Sequence, residues 1–269
     1  MKARYNVRVL KFALAVISLA ATVRGAAPAP VDLEQMTYAE VYSAIHQRGM
    51  TTVLVYNGGT EQRGPHAVLG GHTFIARVTA EEIARRLGNA LVAPVLPFSP
   101  AAGHLNSNWP GTISLPDDLY ARVNEAVVAS LAVAGFKNII LMGDHGGGQA
   151  ALASAAKRMD GKYAPRGTRV YYCGAVYRQA NADFDAWLKA NGFPLGEHAS
   201  IPDTSLLMYL GGDAYVRKDK LVAGNATNGV NGDPRRSSPE LGRRYFNMKV
   251  ASAVSQIQNF ITQPSLRRR

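Results

Sequence analysis

The chain has 269 residues, 47% of them apolar, and carries a formal net charge of +11 at neutral pH. A chain of this length can bury a sizeable hydrophobic core, and one α/β domain is favoured over two small ones. The positive charges are scattered and lack interleaved aromatic residues, so a nucleic-acid partner is not predicted.

The N-terminus has the organisation of a signal peptide. Basic residues at positions 2, 4, 8 and 11 precede the apolar run 12–23, and small residues follow at 25–27. The apolar run is shorter than the roughly 20 residues that cross a bilayer, so no stable membrane insertion is expected after cleavage. We predict a signal peptide over 1–25, a linker over 26–34 and export to the periplasm or the medium. An uncleaved amphipathic anchor is the alternative.

Helix-like and strand-like segments alternate along the rest of the chain. In order, the patterns predict helix 37–48, strand 52–57, helix 73–86, strand 90–96, helix 119–134, strand 137–142, helix 149–159, strand 168–174, and helices 180–191, 204–210 and 239–261. This alternation is typical of βαβ units with a mostly parallel sheet. A long loop spans 97–115, and the last residues, 263–269, form a basic tail.

Cys173 is the only cysteine, so no intramolecular disulfide can form. It lies in a strand-like apolar run, which favours a buried thiol over a nucleophile because free cysteines are among the most buried residues.

Two loops that follow strand-like runs contain metal-ligand residue types. The first holds Glu61 and is followed by His72, and the second holds His145 with three glycines after it. Ligands of open α/β sheets bind at the carboxyl ends of the strands, so we predict that these three side chains surround one metal ion. Two imidazoles and a carboxylate suit zinc and equally match the facial arrangement of non-haem iron. The amides of 146–148 could hold an oxyanion.

Four blocks resemble motifs of the creatininase (creatinine amidohydrolase) family, in the same order. Residues 59–66 resemble its G-[ST]-x-E-Q-H-G-P-H, and residues 109–115 resemble its F-P-G-T-[IT]-S-L. Residues 143–148 resemble its N-G-H-G-G-N, and residues 197–205 resemble its E-H-A-G-x-x-E-T-S. The likeness extends over about residues 35–260.

The resemblance implies a single three-layer α/β/α domain over 35–262, a metal-dependent activity on C–N bonds of cyclic amides or formamides, a small-molecule substrate and a hexameric assembly. Position by position, it implies that Glu61 and His145 are metal ligands. Asp203 falls on a family glutamate near the site and is included among the predicted ligands. Glu197 and His198 match an acid/base pair, either of which would protonate the leaving nitrogen.

Two positions depart from the family pattern. His72 stands where the family has an aspartate that bridges two metals, and Arg63 stands where it has a histidine for the second metal. Arginine stays protonated and cannot ligate a metal. We therefore predict one divalent metal, Zn²⁺ in preference to Fe²⁺ or Mn²⁺, with Arg63 as a fixed charge that polarises the scissile carbonyl. A salt bridge between Arg63 and Glu61 in a site without metal is the alternative.

The predicted function is therefore a secreted, metal-dependent amidohydrolase acting on a small cyclic amide or formamide. A small-ligand-binding protein on the same fold, catalytically impaired by the changes at 63 and 72, is the main alternative. A secreted interaction protein that uses its basic tail is a third. His66 is interpreted as a structural residue that supports a tight turn. For His104 and Trp109, a role in the site and a role in packing the long loop are both open.

Overall fold

A computed structural model describes residues 30–262 of the chain. The predicted signal peptide (1–25), the first part of the predicted linker (26–29) and the basic tail (263–269) lie outside the described residues. Within 30–262, no helix combines the length and hydrophobicity needed to cross a membrane.

The described helices and strands follow the predicted order. They are α1 Tyr38–His46, β1 Thr52–Asn57, α2 Gly71–Leu87, β2 Ala90–Val92, α3 Asp117–Val133, β3 Asn138–Gly143, α4 Gln149–Tyr163, β4 Arg169–Tyr172, α5 Arg178–Ala190, α6 Ile201–Gly211 and α7 Pro239–Thr262. The second strand was predicted over 90–96 and is shorter. It ends at Val92 because Pro94, two residues on, has no N–H to continue a ladder.

The four strands form one parallel sheet in the order β2-β1-β3-β4. β1 is buried along its whole length, as expected for a parallel strand with both faces covered. The register between β1 and β3 pairs Asn57 with Gly143, the last residue of each strand. The loops that follow these two strands therefore leave the sheet side by side at one edge.

Helices flank the sheet in two groups, which confirms the predicted α/β class. α3 packs on α4, and α7 contacts α2, α5 and α6. Thr37 caps α1 in a capping box with Glu40, whose carboxylate accepts the Thr37 backbone N–H at 2.7 Å. Cys173 is fully buried, as predicted, and burial raises the pKa of its thiol to about 12.

A glycine sets the distance between α6 and α7. A β-carbon at Gly242 would lie 1.9 Å from the backbone oxygen of Ser205. Because backbone cannot move aside cheaply, we expect Gly242→Ala to lower the free energy of unfolding by about 2 kcal/mol or more in urea denaturation. Gly161→Ala in α4 is the matched control, since that β-carbon would meet no atom within 4 Å and should stabilise the helix by up to about 1 kcal/mol. Equal effects of the two changes would contradict this account.

Candidate metal centre

The two motif loops meet at the carboxylate of Glu61, which is 1% exposed. Nε2 of His72, in the first turn of α2, lies 2.9 Å from Oε1 of Glu61. Nε2 of His145, two residues after β3, lies 2.6 Å from Oε2. The structure thus brings together the three side chains that the sequence analysis grouped.

Two further histidines approach the same carboxylate. Nε2 of His104 lies 3.6 Å from Oε2 of Glu61, and Nδ1 of His198 lies 3.6 Å from Oε1. The rings of His104 and His198 stack with centroids 4.1 Å apart. Four of the six histidines of the chain therefore surround one carboxylate.

One ligand atom each of Glu61, His104 and His145 lies within 4.8 Å of the other two. Two imidazoles and a carboxylate are a donor set that zinc and related divalent ions accept. The role of His104 does not follow from the sequence, because periodicity does not predict the path of the long loop that carries this residue. The only hint in the sequence is that a histidine precedes the motif block at 109–115 by a few residues. That position alone does not predict how close His104 lies to Glu61.

His72 is held between two carboxylates. Its Nδ1 lies 2.8 Å from Oδ2 of Asp144, while its Nε2 faces Glu61. Burial lowers the pKa of His72, but the two carboxylates outweigh burial, so the pKa lies above its ordinary value. Metal-ligating histidines commonly donate their other ring N–H to a carboxylate, so the Asp144 contact is compatible with His72 as a ligand. That role stays a prediction.

The guanidinium of Arg63 is fully buried and nearest to Asp203. One terminal nitrogen lies 2.8 Å from Oδ1 of Asp203, and the other lies 3.8 Å from Oε1 of Glu61. The second oxygen of Asp203 accepts the backbone N–H of Ala199 at 2.9 Å. Burial raises the pKa of Asp203, but the Arg63 charge together with His72, His198 and the Ala199 N–H outweighs burial, so the carboxyl is held below its usual pKa. The predicted roles of Asp203 as a ligand and of Arg63 on a carbonyl stay predictions.

His198 directs Nδ1 toward Glu61 and Nε2 toward Gln62. Its Nε2 lies 2.7 Å from the carbonyl oxygen of Gln62 and 3.1 Å from the side-chain amide nitrogen of the same residue. Burial lowers the pKa of His198 to about 4, which leaves the ring neutral at physiological pH. The next residue, Ala199, adopts the left-handed φ of 53°, and its N–H bond to Asp203 holds this turn.

These groups border a cavity of about 380 Å³. Trp109 stands on its wall, and its indole N–H donates to the carbonyl of Thr227 at 2.9 Å. Glu197 lines the cavity as an exposed residue. The amide of Gly147 donates to Nδ1 of His145 at 2.9 Å, so it is not available to an oxyanion in this arrangement.

Known proteins share this architecture. A family profile described as creatinine amidohydrolase (Creatininase) matches residues 34–257. The chain belongs to the creatininase family. A mycofactocin precursor peptide peptidase of Mycobacterium ulcerans (strain Agy99) is 26% identical over 240 residues, which are 79% of this chain and 87% of the relative.

Solved creatininases have the same fold. The one named Creatininase Mn has a TM-score of 0.74 at 19% identity, and a creatininase variant named as a Zn-Zn type has a TM-score of 0.74 at 21% identity. Each match covers 87% of this chain and 100% of the other. The predicted resemblance is therefore confirmed, although identities of this size show the fold alone.

Asp144 and Lys249 are the charged groups of this creatininase-family site that the sequence analysis missed. Oδ1 of Asp144 accepts from the Tyr56 hydroxyl at 3.0 Å and lies 2.9 Å from Nζ of Lys249. Burial raises the pKa of Asp144, but Lys249 and His72 outweigh it and bring the pKa to about 2. A signal was present in α7, because Lys249 occupies the buried stripe between Tyr245 and Ala253.

His66 should make stability depend on pH. Its ring is fully buried with Nε2 3.0 Å from the Thr204 hydroxyl, and burial together with the Arg63 charge lowers its pKa to about 4. Between pH 6.5 and 4 the unfolded chain binds a proton at this histidine that the folded chain does not, so stability falls as pH falls. We expect this residue to account for a loss of about 2 kcal/mol between pH 7 and pH 5.

Urea denaturation at both pH values, with chelator present throughout, measures this loss. In His66→Gln the difference between pH 7 and pH 5 should shrink by that amount, because glutamine does not titrate. An unchanged difference in the variant would show that another group carries the pH dependence.

Proposed function

We propose that this chain is a metal-dependent amidohydrolase that uses a single divalent metal. The observation that carries the proposal is the buried carboxylate of Glu61 with imidazole nitrogens of His72 and His145 at its two oxygens. Arg63 supports a single metal, because a fully buried guanidinium paired with Asp203 occupies the position of a second-metal ligand in the family motif.

The residues present fit a divalent cation. Burial raises the pKa of Glu61, but its contacts with His72 and His145 outweigh burial and hold the pKa far below its ordinary value, so the carboxylate is ionised. Glu61, His104 and His145 would hold the metal, with His72 as the further predicted ligand. When bound, the cation would supply Lewis acidity, polarising a carbonyl and making a water molecule more acidic. We propose Zn²⁺, with Mn²⁺ or Fe²⁺ as alternatives, since solved relatives are named as zinc and manganese forms.

His198 supplies proton transfer in this proposal. Its neutral ring is oriented by the Gln62 carbonyl, and its Nδ1 lies 3.6 Å from Oε1 of Glu61. Nδ1 takes a proton from the attacking water and returns it to the leaving nitrogen. Glu197 stands exposed on the same cavity wall, where it would assist that transfer. Arg63 acts from behind Glu61 and Asp203 through its charge.

The cavity favours a small, polar substrate with a flat group. Its wall combines the indole of Trp109 with the amide side chains of Asn225 and Asn231. A volume of about 380 Å³ lies at the small end of the range for ligand pockets. We therefore propose a cyclic amide or formamide as substrate. A short peptide is the second candidate, because one relative is named as a peptidase.

Two substitutions separate metal binding from proton transfer. His145→Ala should lose both bound metal and hydrolysis, because it removes a ligand. His198→Ala should keep the metal and lose at least about 100-fold in kcat/KM, because it removes only the base. Elemental analysis of protein never exposed to chelator, with hydrolysis of a panel of lactams, formamides and short peptides, provides both readouts.

His46→Ala is the matched control. This histidine is exposed at the end of α1, so its replacement should change neither the bound metal nor the rate of hydrolysis. Equal metal loss in the 145 and 198 variants would reverse the assigned roles. A wild-type chain without bound transition metal would end the proposal. A chain that binds metal and panel compounds without cleaving any of them would instead be the impaired binding protein.

We also propose that the protein is exported and forms a homo-oligomer. The basic and apolar segments of residues 1–25 support export, and the family resemblance supports a hexamer. N-terminal sequencing of protein recovered from the periplasm or medium should begin after Gly25 or Ala27, and light scattering of that protein should give the mass of a hexamer. A mature protein that still begins at Met1 would contradict cleavage.

A further inference from the structure

Asp144 lies beside the candidate metal centre without touching the proposed metal ligand Glu61. It is 3% exposed, and its two oxygens serve different partners. Oδ2 accepts from Nδ1 of His72 at 2.8 Å, whereas Oδ1 faces Lys249 and the Tyr56 hydroxyl. Asp144 therefore joins a buried cation on one side to a histidine of the site on the other.

Lys249 is 2% exposed, which is unusual for an ammonium group. Its Nζ lies 2.9 Å from Asp144 and 5.1 and 5.6 Å from the ring centroids of Tyr245 and Tyr177. A buried ion pair adds little net stability, because desolvation of both charges offsets their attraction. Stability alone therefore does not account for this lysine in the apolar stripe of α7.

A chain of contacts connects α7 to the candidate metal centre. Lys249 and Tyr56 hold Oδ1 of Asp144, so Oδ2 is aimed at Nδ1 of His72. A ring fixed at Nδ1 has its Nε2 directed outward, and this nitrogen lies 2.9 Å from Oε1 of Glu61. With Oε1 engaged in this way, the other oxygen of Glu61 faces His145 and His104.

We propose that Lys249 and Asp144 are positioning residues of the metal centre that act through His72 to fix the orientation of the Glu61 carboxylate. The inference rests on the proposed function, because that function makes Glu61 a metal ligand. In the family motif that resembles residues 143–148, a glycine stands at the position of Asp144. This chain has instead a carboxylate behind the histidine at position 72.

The test is the affinity of the full-length protein for Zn²⁺ alone, measured by titration against a competing chelator. Asp144→Asn and Lys249→Met should each raise the Kd by about 10- to 100-fold, the loss typical when the group behind a ligand is removed. Either change leaves one buried charge unpaired and could prevent folding. The double variant Asp144→Asn/Lys249→Met removes both charges together, which buried pairs usually tolerate, and should show the same rise in Kd.

Asp160→Asn is the control for general loosening of the fold. It breaks the 2.7 Å ion pair between Asp160 and Arg169. Arg169 is the first residue of β4 and lies away from the candidate metal centre. The control should lower the melting temperature and leave the Kd for Zn²⁺ unchanged.

Three outcomes would overturn the inference. A folded double variant with the wild-type Kd would show that Asp144 and Lys249 do not position the site. An equal rise in Kd for Asp160→Asn would show that any loss of stability weakens zinc binding. A wild-type chain that binds none of Zn²⁺, Mn²⁺ and Fe²⁺ would overturn the proposed function and this inference together, which distinguishes that failure from the other two.

Discussion

The structure of the site depends on the cost of burying the charge of Glu61. A carboxylate that is 1% exposed is stable only if cations or hydrogen-bond donors surround it. Imidazoles reach it from four separate segments, and the guanidinium of Arg63 lies behind it. Each buried cation in turn has its own carboxylate. Asp203 pairs with Arg63, and Asp144 lies between His72 and Lys249. Opposite charges therefore alternate outward from Glu61.

The parallel sheet makes this arrangement possible. β1 and β3 end at the same level, so the residues that follow Asn57 and Gly143 begin as neighbours. Close backbone contact then brings His145 toward Glu61, and at Gly147 a β-carbon would lie 1.9 Å from the oxygen of Pro100. A larger residue there would push the loop away from the site. The glycine at position 147 is thus required for packing and is also a feature of the family motif.

The departures from the family pattern have a common electrostatic character. Arg63 and His72 replace residue types that would bind a second metal with side chains that are cationic or can become so. The structure gives each of them a carboxylate partner, Asp203 and Asp144 respectively. In the proposed enzyme, fixed protein charges would take over part of the role of a second ion. Such charges cannot leave the site, but they also cannot coordinate a water molecule.

Local patterns in the sequence determined the fold class and half of the site. Alternating helical and strand-like runs predicted the described α-helices and strands but none of the described 3-10 helices. The strands were recognisable because burial on both faces of a parallel sheet leaves continuous apolar segments. The positions of Glu61, His72 and His145 after two such runs predicted that they converge. Only the tertiary structure decided that His104 and His198 stack beside Glu61, that Arg63 pairs with Asp203, and that Lys249 supports Asp144. These contacts join segments far apart in the chain, and their geometry is set by how the loops and α7 pack rather than by any local periodicity.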